Sequence, residues 1–164
     1  MPRTPKPHTR AFVMVAALLT VAAAQAGTVE VRFIEPDKFL DAGRGPWDIE
    51  RTTQSLIEVF KRYEKKLPEG QTLKVEVTDV DLAGDLRPAG MAGEVRVLRG
   101  RADWPRISLR YTLSESGRVL RSGETRVDDM SYMMSPLRGR SAEDLAYERR
   151  MLDRWFAETV AAAH

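Results

Sequence analysis

The 164-residue chain carries 26 basic and 24 acidic residues, no cysteine, and two histidines, His8 near its start and His164 at its end. That inventory excludes disulfides, thiolate or histidine zinc sites, and Ser-His-Asp or Cys-His catalysis, since two residues at opposite termini build no shared site. The basic excess lies in the first ten residues: without Arg3, Lys6 and Arg10, 23 basic residues face 24 acidic ones, a balance that argues against a nucleic-acid partner.

Those first residues, MPRTPKPHTR, precede the uncharged apolar run Ala11 to Ala24 and the small-residue pattern Ala24-Gln25-Ala26. Together they predict a secretory signal peptide over residues 1–26, cleaved after Ala26, with one domain over 27–164. The apolar run is shorter than the roughly 20 residues that span a bilayer, so cleavage leaves no integral membrane anchor. With no cysteine at the cleavage point there is no lipid attachment either, and the expected location is the periplasm.

From Gly27 onward the pattern alternates between strand and helix periods. Val29, Val31 and Phe33 alternate with Thr28, Glu30 and Arg32, predicting a strand that Pro36 ends. Past Gly43, Gly45 and Pro46, the residues Ile49, Thr53, Leu56, Phe60, Tyr63 and Leu67 recur at helical spacing until Pro68 and Gly70. Leu73, Val75 and Val77 mark a second strand whose phase breaks after Thr78. Unbroken alternation would bury Asp79 and Asp81 and expose Val80 and Leu82, at a high desolvation cost. A bulge near Asp79, returning Val80 and Leu82 to the core, is the cheaper solution.

A loop is expected from Ala83 to Gly93, then a short strand at Val95 and Val97. Ile107, Leu109, Tyr111 and Leu113 mark the clearest strand, and Ser114-Glu115-Ser116-Gly117 a hairpin turn with Gly117 suited to a left-handed conformation. The polar return strand, about Arg118 to Val127, contains Gly123 and reads as an edge or bulged strand. Ser141 can cap a last helix, with Glu143 and Asp144 at its positive end and Leu145, Leu152, Trp155, Phe156 and Thr159 near one face. The expected class is α+β: a mainly antiparallel sheet of about five strands with two helices packed on one face, in the order strand-helix-strand-strand-strand-strand-helix.

The runs VRFIEPDKFLDAG (31–43), TDVDLAGD (78–85), WPRISLRYTL (104–113), VDDMSYM (127–133) and YERRMLDRWF (147–156) resemble a family of exported bacterial proteins catalogued as DUF3016. The resemblance spans nearly the whole mature chain in order. It implies an exported domain and brings no activity, cofactor or catalytic residue.

Chemistry must then be sought in the residues themselves. Asp79, Asp81 and Asp85 suit a hard cation, and Asp79, Asp81 and Gly84 fit positions one, three and six of a calcium loop. Ala83 fails at position five, however, and Gly90 stands where the bidentate Glu belongs. The simpler reading is an acidic turn, one Asp accepting backbone amides and the others solvated or paired with arginines. Met130, Met133 and Met134 offer soft thioethers for Cu(I), or else core filler or an adaptable contact surface. Trp104 before the best strand covers a sheet end or anchors a partner. Tyr147 lies off the core face of the last helix, and Arg149 and Arg150 beside it are solvated or paired with acids such as Glu143 and Asp153.

No nucleophile and base can be singled out, and no cofactor is implied. The reading is a non-enzymatic binding or accessory domain acting through an envelope protein, its interaction surface drawn from Asp79, Asp81, Gly84, Trp104, Asp129, Tyr132 and Tyr147. The alternative is a metal-binding periplasmic protein, using the acidic turn or the methionines. A carboxylate-dependent hydrolase is the third.

Overall fold

The computed structural model describes residues 26–88, 94–134 and 145–163. Strand β1 (Thr28–Phe33) leads to helix α1 (Pro46–Lys61), which tightens into a 3-10 turn over Arg62–Lys66, and then to β2 (Gln71–Asp81). A short hairpin of β3 (Asp85–Pro88) and β4 (Glu94–Val97) precedes the long hairpin of β5 (Arg106–Glu115) and β6 (Arg118–Asp128). Helix α2 (Ala146–Trp155) closes the fold. The main sheet runs β1-β2-β5-β6, with β1 parallel to β2 through the α1 crossover and the other pairs antiparallel.

Both helices cover one face of this sheet. Leu56, Val59 and Phe60 of α1 share a core with Leu73, Val75, Leu109 and Leu113 of the sheet and with Met151, Leu152 and Trp155 of α2. Tyr63 stacks on Phe156 at 4.2 Å between ring centroids, and Phe60 meets the Trp155 edge at 6.4 Å, so the two helices touch each other as well as the sheet. The opposite face is polar. There Glu30 sits opposite Lys74 and Glu76 opposite Arg110, each forming a cross-strand ion pair.

The expected α+β architecture is therefore present, and so is the bulge. Between Val77 and Asp79 the pairing slips by one residue, leaving Thr78 as the extra one and returning Val80 to a fully buried position opposite Ile107. The turn between β5 and β6 has positive φ at both Ser116 and Gly117, the twist that a two-residue hairpin requires.

Three details differ from the sequence reading. The stretch 83–93 contains β3, and β3–β4 stands apart as a two-stranded sheet, so the main sheet has four strands instead of five. A four-residue strand ending in proline carries too short an alternation to register. On α1, Thr52 is buried in place of Thr53, whose hydroxyl bonds to the Glu50 carbonyl. On the last helix, Val160 is buried where Thr159 was expected, because the helix widens to a π-turn over Phe156–Val160 and rotates its inner face by one residue. Ser141, Glu143 and Asp144, the expected cap, lie outside the described residues, as do residues 1–25 of the expected leader; α2 is entered at Leu145 with φ 66°.

Candidate functional site

The bulge that the phase break demanded also organises the loop from β1 to α1. Asp79 is turned outward there, and its Oδ1 accepts the Leu40 amide at 2.9 Å. The loop then pairs with the end of β2: the Asp41 amide donates to the Val80 carbonyl at 2.9 Å, and the Leu82 amide donates to the Asp41 carbonyl at 3.0 Å. Asp81 is buried and paired with Arg106, whose guanidinium also lies 5.1 Å from the Trp104 ring centre. Asp85 pairs with Arg99, and with Arg87 at 3.6 Å. Each carboxylate of the DVD segment is thus engaged by a different protein donor. Among the described residues no three acidic or histidine side chains converge as a ligand set.

A second arrangement ties the short hairpin to α2. Glu148, wholly buried, accepts the Ala83 amide at 3.2 Å and receives the Arg96 guanidinium on both oxygens. Arg96 also donates to the Ala83 carbonyl. This fork clamps β4 and the end of β2 onto the first turn of the helix, and two ions so placed satisfy one another's buried hydrogen-bonding groups. Arg96 and Glu148 are 52 positions apart, and neither stood out in the sequence.

Arg96 of the clamp also lines a cleft of about 100 Å³, together with Arg51, Thr52 and Ser55 of α1. Asp41, Arg44, Arg51, Asp85 and Arg96 supply its charges, and Ala42, Leu82 and Leu145 much of its apolar surface. Asp41 accepts the Gly43 amide at 3.2 Å. Burial, reinforced by the negative charges of Asp85 and Asp103, pushes its carboxyl up from the ordinary value, against that hydrogen bond and Arg96. Gly43 has φ 130°, and a Cβ added to it would lie 2.3 Å from Cβ of Asp48, so only glycine permits this bend. Leu145 holds a left-handed conformation unfavourable for a bulky side chain, yet is buried against the cleft.

The turn after β6 is the third arrangement. Asp129 accepts the Ser131 amide at 3.1 Å, while Arg150 reaches the Asp129 carboxylate at 3.4 Å and the Tyr132 carbonyl. Tyr132 is fully buried, its hydroxyl accepting the Gly100 amide at 3.1 Å and its ring meeting the edge of Tyr147 at 4.9 Å. On this base Met130, Met133 and Met134 stand 62%, 50% and 75% exposed, so they are not core filler. Of the seven residues expected to form an interaction surface, Asp81, Gly84, Asp129 and Tyr132 are buried, and Asp79, Trp104 and Tyr147 are half-buried. Asp79, Asp129 and Tyr132 accept backbone amides of adjacent segments, and Met130, Met133 and Met134 face outward. Arg150 pairs with Asp129, which lies on another element.

Fold and site together define an α+β protein with a cleft, part charged and part apolar, assembled from three separate stretches of chain. The chain belongs to the DUF3016 family, described as a protein of unknown function, which it matches over residues 27–158. No curated protein and no solved structure matches it. Among the described residues no helix is long and apolar enough to cross a membrane.

Proposed function

We propose that this is an exported, non-catalytic binding domain that docks a protein of the cell envelope through the turn Met130 to Met134. The observation that carries the reading is the exposure of three methionines on a turn held from beneath by Tyr132, Asp129 and Arg150. Flexible thioether side chains on a fixed backbone make an apolar surface that adapts to a partner at little cost in ordering the chain. Export is supported by the leader pattern and by a family match that opens at Gly27, the residue after the expected cleavage.

The test is a photo-cross-linking residue placed at Met134 and, as control, at Lys74 on the polar face of the sheet. Intact cells should yield one discrete adduct from position 134, lost when Met130 and Met133 become Ser; equal labelling from both positions sinks the reading. Intact-mass measurement of the exported protein should place its first residue at Gly27. Cu(I) held by the same thioethers is the second reading, favoured by their softness and exposure. It requires one equivalent of Cu(I) bound anaerobically and lost in the Met130/Met133 double variant.

A further inference from the structure

We propose that the cleft between α1 and the β3–β4 hairpin binds a small zwitterion of amino-acid size, its ammonium group paired with Asp41 and its carboxylate with Arg44. Around the cleft Arg96 is matched by Glu148, Arg51 by Asp48 at 3.0 Å, and Asp85 by Arg99. Among the described residues, Asp41 and Arg44 alone of the charged groups lining the cleft have no ion-pair partner, and they do not pair with each other. One unmatched anion and one unmatched cation on the same cleft call for a ligand bearing both opposite charges.

Asp41 is also built for the purpose. Its backbone is fixed to β2 through Val80 and Leu82, and its carboxylate is oriented by the Gly43 amide. It stands near Asp85 and Asp103, whose charges disfavour another anion and favour a cation beside it. Arg44 follows three residues later, across the bend that Gly43 alone permits. The size agrees: at about 10–15 Å³ for each water-sized group, a space of about 100 Å³ admits roughly seven to ten of them. The apolar surface of Ala42, Leu82 and Leu145 leaves room for a short aliphatic side chain.

The experiment is calorimetric titration of the mature protein with L-alanine and L-leucine, beside propylamine, which lacks the carboxylate, and propionate, which lacks the amine. At least one amino acid should bind saturably, with both half-ligands weaker by about tenfold or more. Asp41→Asn and Arg44→Gln should each lower amino-acid affinity by a similar factor, while Lys74→Gln leaves it unchanged. Thermal melts establish that the variants are folded. No saturation by either amino acid up to about 20 mM overturns the proposal, since affinity would then be weaker than ordinary metabolite binding. Propionate binding as tightly as the amino acids, or affinity unchanged in folded Asp41→Asn, overturns it equally.

Discussion

Replacing Glu148 by Ala removes the sole carboxylate of a clamp that joins three elements, and the cost follows from what is left behind. The Ala83 amide loses its acceptor, which for a buried donor costs about 1–3 kcal/mol. The Arg96 guanidinium loses its counter-charge; breaking a buried pair costs about 3–5 kcal/mol, but Arg96 keeps 22% of its side chain exposed and can turn toward water. These losses overlap, and about 3 kcal/mol is expected for the variant. With a urea m-value of about 1–3 kcal/mol/M, the midpoint should fall by roughly 1–3 M. The companion variant Arg96→Met with Glu148→Met removes both charges and keeps apolar volume, so it should recover most of the loss, short of about 1 kcal/mol for the unpaired amide. Urea denaturation followed by circular dichroism reads both. A shift below about 0.5 kcal/mol for Glu148→Ala, or a double variant less stable than the single, would refute the clamp.

Three further outcomes follow from the loop and its carboxylates. Asp79→Ala should cost about 1 kcal/mol through the freed Leu40 amide. Chelator or added calcium should leave the melting temperature of the wild type unmoved; a calcium-dependent rise that disappears in the variant would restore the metal reading. Gly43→Ala should destabilise by about 2 kcal/mol or more in the same urea assay, because φ 130° and the Asp48 contact both oppose a Cβ; an unchanged midpoint contradicts the bend.

The third outcome concerns pH. A carboxyl raised on folding favours the native state while protonated, below its unfolded value near 3.8, and that contribution is lost as pH rises through the folded value. Asn carries no such penalty, so the melting temperature of Asp41→Asn relative to wild type should rise between about pH 3.5 and pH 7. A flat or falling difference across that window would show that burial does not penalise the Asp41 charge.

Much of the frame was legible because its signals are periodic and local. Leu73, Val75 and Val77 set a phase, Asp79 and Asp81 broke it, and only a bulge reconciled the two. The clamp and the cleft were not legible for the converse reason. Arg96 and Glu148 are ordinary charged residues until a hairpin and a helix meet, and the cleft needs segments near 41–55, 82–96 and 145 at once. Trp47, 84% exposed at the start of α1, is likewise invisible to helical spacing, which marks the inner face of a helix and not its first turn. The exposure of Met130, Met133 and Met134 comes from the fold alone, because periodicity has no meaning in a turn.

The DVD segment shows why a conspicuous run of carboxylates is a poor guide to where a ligand binds. Asp79, Asp81 and Asp85 drew notice because they are close in sequence, yet each anchors a different neighbour: the Leu40 amide, Arg106 and Arg99. A carboxylate matched by a fixed donor has little affinity left for an outside cation. Asp41 stands alone in sequence and reaches the cleft only because Asp79 and the end of β2 hold its loop there. The same bulge that spares the core two unpaired charges therefore sets an unmatched one against solvent. Asp79→Ala should weaken amino-acid binding at this cleft, as Asp41→Asn does by about tenfold or more, and both losses should appear in folded protein. Loss in Asp41→Asn alone would mean that the loop holds its place without the Leu40 latch. Stability would then fall in Asp79→Ala with affinity unchanged, separating the scaffold from the site.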